Sequence, residues 1–177
     1  MAESVATLKV LVGLDDSGSA RAAVSHVLRV FGGAEKPQLN LLHVLVQKIP
    51  AHLEFIDPSM IWDGAGLPSA LATETAEQIA QEKEAANKRV GELFDDLGGS
   101  DWPRNRLTIT VLEGGFTRAA IAEILTWHAR EINADIVVVG RTHHGALHDA
   151  FIRSTGERLV HACKGTAAWV VGAAGRD

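Results

Sequence analysis

Short apolar stretches alternate along this chain with longer stretches in which apolar residues recur every three or four positions. The short stretches predict five β-strands, at residues 8–14, 39–46, 107–112, 134–140 and 167–171. The periodic stretches predict helices at 18–31 and 71–97, from Thr117 onwards, and at 154–162. Gly98 and Gly99 are expected to end the second of these helices. The inner face of the third is expected to carry Ile121, Ile124, Leu125, His128 and Ile132. Strand and helix alternate five times. This favours an α/β fold, a three-layer αβα sandwich with a five-stranded, mainly parallel sheet.

The fourth strand has the pattern of a strand buried on both faces, because residues 136–139 are four consecutive β-branched residues. It ends at Gly140, a polar loop follows, and the next helix begins near Ser154. A strand, a glycine-bearing loop and a helix N-terminus in this order form a cradle for an anion, since the N–H groups of the first helical turn have no partner within the helix.

Parallel sheets bind ligands at the carboxyl ends of their strands, where the order of connection reverses. The residues at these ends are Asp15, those after Val46, Glu113 with Gly114, and 140–145. We therefore expect the functional site at this edge.

Residues 47–69 form a long irregular stretch that contains three prolines and two glycines. A loop of this length is unusual inside a compact domain and is often a lid or a binding loop. Its apolar residues favour a flap that packs on the domain or on a partner subunit. The chain is predicted to be a single domain, residues 1–177, with this stretch as an insertion.

Composition excludes several classes of partner. The chain is 46% hydrophobic and 22% charged, as in globular proteins, and its net charge of −5 argues against nucleic-acid binding. Cys163 is the only cysteine, which favours a reducing compartment. The N-terminus lacks the pattern of a secretory signal, and no apolar run approaches the ~20 residues of a membrane span. We expect a soluble, cytoplasmic protein with no membrane partner.

Three segments resemble the universal stress protein family, and the resemblance covers nearly the whole chain. They are Val-Gly-Leu-Asp-Asp-Ser-Gly-Ser at 12–19, Leu-Leu-His-Val at 41–44 and Ala-Asp-Ile-Val-Val-Val-Gly at 134–140. The resemblance implies a Rossmann-like fold of the adenine nucleotide alpha hydrolase type, a homodimer formed through the last strand, and a role in the stress response. The family's Pro-rich approach to that strand is replaced here by residues 163–166.

Family members that bind ATP carry Gly-x2-Gly-x9-Gly-Ser/Thr after the fourth strand. Gly140 matches the first glycine and Ser154 the last position, but His143 and Arg153 replace the second and third glycines. Their side chains would crowd the backbone N–H groups that approach a phosphate. Arg153 could itself bind a phosphate through two hydrogen bonds, and Gly145 could give the loop its freedom. The motif thus favours a member that does not bind ATP, or one that binds nucleotide in an altered way.

The resemblance also implies where an adenine nucleotide would bind. Asp15 would accept hydrogen bonds from the ribose hydroxyls, and the backbone of Val44 would meet the adenine edge. Gly140, Ser154 and Thr155 would hold the phosphates.

Other motifs have a structural explanation beside the functional one. Gly140 and Gly145 have Walker A spacing, but Ala146 and Leu147 replace its Lys and Ser/Thr. His43 is predicted to be a hydrogen-bonded core residue. The remaining candidates are a metal site at His143, His144, His148 and Asp149, a buried thiol at Cys163, and a core or interface role for Trp169.

We therefore expect a universal stress protein without enzymatic activity, acting by ligand sensing or partner binding, with a degenerate ATP-binding loop. An ATP- or AMP-binding member with weak or no ATPase activity is the first alternative. An ATP-dependent enzyme is disfavoured, because no Lys, Mg²⁺ carboxylate pair or nucleophile–base pair stands at the strand ends. A flavin- or nucleotide-carrying relative on the same fold is the third hypothesis. No catalytic and no metal-binding residue is assigned.

Overall fold

A computed structural model gives the fold, and it describes residues 7–15, 18–33, 35–46, 76–114, 118–141, 159 and 165–172. Its strands are β1 (Lys9–Leu14), β2 (Gln38–Val46), β3 (Leu107–Gly114), β4 (Ile136–Arg141) and β5 (Ala167–Gly172). Its helices are α1 (Gly18–Val30), α2 (Ala76–Asp96) and α3 (Arg118–Glu131). Two short 3-10 helices, Gly99–Asp101 and Arg104–Arg106, connect α2 to β3.

The five strands form one sheet in the order β3-β2-β1-β4-β5, and each neighbouring pair is parallel. The chain moves from β1 outwards to β3, crosses to β4, and then moves outwards again to β5. The order of connection therefore reverses between β1 and β4, which is where sheets of this kind bind ligands. The predicted α/β fold with a parallel, Rossmann-like sheet is confirmed.

Helices cover both faces of the sheet. On one face, α1 and α2 share a core with the even-numbered positions of β1. On the other face, α3 packs on Leu11 and on alternate positions of β2 and β4. The buried apolar residues of the first core are Val10, Val12, Leu14, Ala20, Ala23, Val24, Val27, Leu39, Leu41, Val90, Phe94, Trp102 and Val138.

The apolar stripes predicted for α1 and α2 face the core as expected. Val24 and Val27 are buried on α1, and Val90 and Phe94 on α2. The predicted end of α2 at the two glycines is also confirmed. Gly98 has φ 91°, a left-handed conformation that residues with a side chain rarely adopt.

The predicted inner face of α3 packs on the core. Leu125 is buried, and Ile121, Ile124 and Ile132 are partly buried against the same core. Two residues outside the predicted stripe, Ala122 and Ala129, are also buried. The helix lies close to β1, because a Cβ on Gly13 would come within 2.7 Å of the Leu125 side chain. At so short a distance alanines fit against the sheet, and the larger isoleucines lie at its sides.

Trp169 of β5 packs against the core beside α1. Its ring stacks on Phe31 with a centroid distance of 5.8 Å and meets the His26 ring edge-on at 5.7 Å. These contacts support the core interpretation of Trp169.

The predicted loop at 47–69 lies outside the described residues. So does the predicted helix at 154–162, except for Leu159, which is helical and fully buried among residues of the α3 core. None of the helices in the described ranges is long and apolar enough to cross a membrane.

Candidate functional site

The carboxyl edge of the sheet has a notch where β1 ends. The last residue of β1, Leu14, lies opposite His43 of β2. Beyond this pair, β2 continues to Val46 with β3 as its neighbour, and β4 continues to Arg141 with β5 as its neighbour. Because β1 stops first, residues 44–46 of β2 have no register partner among the described residues of β1. We call the gap between residues 44–46 of β2 and the end of β4 the β1 notch.

Asp15 follows β1 directly and lies at the base of the β1 notch. A cavity of 240 Å³ opens beside it, between the sheet and the two helices α1 and α2. The lining residues are Leu14, Asp15, Gly18, Arg21, His43, Ala86, Arg89, Val90 and Leu93. An exposed carboxylate beside an apolar wall is suited to a ligand with a flat apolar part and hydroxyl groups.

His43 and Val44 point to opposite faces of the sheet, as successive strand residues do. The Val44 side chain is buried in the core under α3, so only its backbone can meet a ligand in the notch. His43 is 5% exposed and its side chain lines the cavity. The predicted burial of His43 is confirmed, and its place in the cavity wall was not predicted.

Gly140 has a packing role that the sequence did not reveal. A Cβ at this position would overlap the backbone carbonyl of Ser19, in the first turn of α1. The missing side chain lets the start of α1 rest directly on β4. Gly140 is therefore required by the fold whether or not a phosphate approaches it.

The charges of the cavity wall come from three elements. Asp15 is negative, whereas Arg21 on α1 and Arg89 on α2 are positive, and all three are exposed. At the neighbouring strand end, Lys83 of α2 forms an ion pair of 2.5 Å with Glu113 of β3. The cavity wall thus carries one more positive than negative side chain, counting histidine as neutral.

A second cavity, of 310 Å³, lies at the opposite edge of the sheet. It is lined by Lys9, Gln38, Leu39, Asn40, Thr108, Glu131, Ile132 and Asn133. There the Lys9 ammonium donates a hydrogen bond of 3.0 Å to the Ile132 carbonyl at the end of α3. This edge holds the amino ends of the strands, and the described site residues Asp15, Val44 and Gly140 lie at the other edge.

Comparison with known proteins identifies the family. The model of the universal stress protein family matches residues 7–169. The chain belongs to the universal stress protein family. The comparison with curated proteins found no match.

Solved structures of universal stress proteins share the fold. A universal stress protein in complex with cAMP superposes with a TM-score of 0.58 at 16% identity, over 94% of this chain and 97% of that one. A family member from Burkholderia pseudomallei superposes with a TM-score of 0.54 at 19% identity, over 93% of this chain and 96% of that one.

The predicted site residues divide into two groups. Asp15, Val44 and Gly140 meet at the β1 notch of this universal stress protein. The second group lies outside the described residues: His143, Gly145, Arg153, Ser154 and Thr155. The metal candidates at His144, His148 and Asp149 and the thiol of Cys163 also lie outside them.

Sequence reasoning missed the two arginines of the cavity wall. Arg21 stands one turn after the start of α1, and Arg89 directly precedes Val90 of the buried stripe of α2. Both positions border an apolar face near the carboxyl edge of the sheet. A search for cations at such borders would have found them once the order of the strands was known.

Proposed function

We propose that this universal stress protein senses an adenine nucleotide at the β1 notch and acts in the stress response without turning the nucleotide over. One observation carries the proposal: β1 ends before both neighbours, which leaves Asp15 beside a cavity at the carboxyl edge of the sheet. The cAMP complex of a structure with the same fold supports an adenine nucleotide as the ligand.

Each part of such a ligand has a group that suits it. The Asp15 carboxylate accepts hydrogen bonds from the ribose hydroxyls. The backbone of Val44, which lies at the side of the notch, would meet the adenine edge, as the resemblance implies. Apolar side chains of α2, namely Val90 and Leu93, cover the cavity from the helical side.

The composition of the cavity wall supports sensing over turnover. Among the described residues that line it, none is a Ser, Thr, Cys or Lys, so none is a hydroxyl or thiol nucleophile or an ammonium group to assist phosphate transfer. A single carboxylate, Asp15, is a weak basis for a Mg²⁺ site, which commonly uses one or two carboxylates together with phosphates.

Calorimetric titration of the purified protein with ATP, ADP, AMP and cyclic AMP tests the proposal. We expect at least one of them to bind, and Asp15→Ala to weaken that binding roughly 10- to 100-fold, because a charge-assisted hydrogen bond is lost. Asp96→Ala, which removes an exposed carboxylate at the end of α2, is the matched control and should leave the affinity unchanged. Equal affinities of the Asp15 variant and the parent would contradict the proposal. So would phosphate release from ATP above a protein-free blank.

The two replaced glycines of the ATP motif give a second test. If the His143 and Arg153 side chains crowd the phosphates, the double variant His143→Gly with Arg153→Gly should bind ATP more tightly than the parent. Calorimetry with ATP measures the difference. A double variant that binds ATP no better than the parent would refute the crowding explanation.

We also propose that the protein is a homodimer, as the resemblance implies. The edge position of β5 in the sheet and the exposure of Val170, at 41%, support a contact through this strand. Sedimentation equilibrium should give twice the mass of the chain, and a monomer mass at micromolar concentration would contradict it.

A further inference from the structure

Two arginines approach the cavity beside Asp15 from different helices. Arg21 lies near the start of α1 and Arg89 in the second half of α2, and both helices cover the same face of the sheet. Both side chains line the cavity, together with Asp15 and His43. The cavity therefore has a cationic side on the α1 and α2 face of the sheet.

The cationic side of the cavity is positively charged, whereas the protein as a whole is negatively charged. The chain carries a net charge of −5, yet the cavity wall has two guanidinium groups and one carboxylate. A guanidinium group binds phosphate through two parallel hydrogen bonds, and its five N–H donors allow it to keep another contact at the same time. A pair of arginines converging on one cavity thus favours an anionic ligand that carries phosphate.

The size of the cavity limits the ligand. Its 240 Å³ lies below the range of about 300–1,000 Å³ that is typical of pockets for drug-sized molecules. A cavity of this size favours a small ligand that carries phosphate, such as a mononucleotide.

We propose that Arg21 and Arg89 bind the single phosphate of an adenine mononucleotide, linear or cyclic, on the α1 and α2 face of the sheet. These side chains would supply a phosphate contact in a chain whose His143 and Arg153 replace two glycines of the ATP motif. The inference rests on the proposed nucleotide site and adds the ligand class and the residues that recognise its anionic part.

Comparing adenosine with AMP isolates the phosphate contact. We expect the parent protein to bind AMP roughly 10- to 100-fold more tightly than adenosine, and ATP no more than about 10-fold more tightly than AMP. In the double variant Arg21→Ala with Arg89→Ala, the affinity for AMP should fall to that for adenosine, and the affinity for adenosine should change by less than about 3-fold.

A matched control separates the contact from the change in net charge. Arg29→Ala with Lys88→Ala removes two exposed positive charges from the same two helices, away from the cavity lining. It should keep the preference of the parent for AMP. Alanine is a good helix former, so both double variants should fold, and circular dichroism and thermal unfolding check this.

Three results would overturn the inference. If the parent and the Arg21 and Arg89 variant show the same preference for AMP over adenosine, these arginines do not bind the phosphate, and the nucleotide site itself stands. If ATP binds far more tightly than AMP, the site is not selective for one phosphate. If neither adenosine nor any nucleotide binds the parent, the proposed function and this inference fail together.

Discussion

Gly140 connects the packing of the protein with its candidate site. Its missing side chain admits the Ser19 carbonyl of α1, so the residue that begins the ATP motif is also a structural contact between α1 and β4. Loss of binding in a variant at this position would therefore not by itself show a phosphate contact.

Replacing Gly140 should lower the free energy of unfolding. The new Cβ of Gly140→Ala would overlap the Ser19 backbone, and overpacking of this kind costs about 1–3 kcal/mol. Gly91→Ala on α2 is the matched control, because its Cβ would meet only Ile109, at 3.6 Å. There alanine should stabilise the helix by up to about 1 kcal/mol. Urea denaturation measures both values, and equal stability of the two variants would contradict the packing role.

His128 on α3 should make stability depend on pH. Burial lowers the pKa of His128, and the charge of Glu131 opposes this in part. The folded state thus binds the proton more weakly than the unfolded state. The contribution of the neutral His128 ring to stability is fully present above the unfolded pKa of about 6.5. It is lost as the pH falls from that value through the lower pKa of the folded state.

The variant His128→Leu isolates this effect, since every other titrating group is common to both proteins. Urea denaturation between pH 7.5 and 5 should show the parent losing more stability on acidification than the variant. Parallel curves would show that His128 titrates alike in the folded and unfolded states.

Residue identity predicted part of the site and missed part. The sequence placed Asp15 directly after β1 and Val44 within β2, and the structure has them there, while their contacts with a ligand stay a prediction. Arg21 and Arg89 were not found, because they lie 68 positions apart in the sequence. They line one cavity only when α1 and α2 pack on the same face of the sheet. The place of His43 in the cavity wall likewise depends on which helices cover its side of the sheet.

Among the elements, α2 depends on a single large side chain near its end. Phe94 is 1% exposed and packs edge-on against Trp102 at a centroid distance of 6.2 Å. Phe94→Ala should therefore cost about 3–5 kcal/mol of stability. Trp127→Ala on α3 is the control, because this side chain is 55% exposed and its loss should cost no more than about 0.5 kcal/mol. Thermal unfolding distinguishes the two, and similar losses would contradict the assigned packing.

Periodicity predicted the elements well where one face alone is buried. The stripes of α1 and α2 were correct, because apolar and charged residues alternate there with helical spacing. The predicted stripe of α3 also packs on the core, but the buried Ala122 and Ala129 were missed, because the sequence does not show how closely a helix approaches its sheet. The distance between α3 and the sheet is set by the contact between Gly13 and Leu125, which is visible only in the folded structure.

At the scale of the whole molecule, the order of the strands determines the site. Alternation of strand and helix predicted a parallel sheet, and the reversal between β1 and β4 follows from the observed order. The notch depends in addition on β1 ending at Leu14 while β2 continues to Val46. Strand lengths of this precision are not available from apolar patterns, since strand boundaries are the least certain part of such predictions.

Titration of ¹⁵N-labelled protein with AMP, followed through backbone amide chemical shifts, tests the β1 notch most directly. The largest shifts should fall on Asp15, Arg21 and Val44, while Lys9, Asn40 and Thr108 at the opposite edge stay unchanged. Shifts centred on Lys9, Asn40 and Thr108, with Asp15 and Val44 unmoved, would contradict a nucleotide site at the β1 notch.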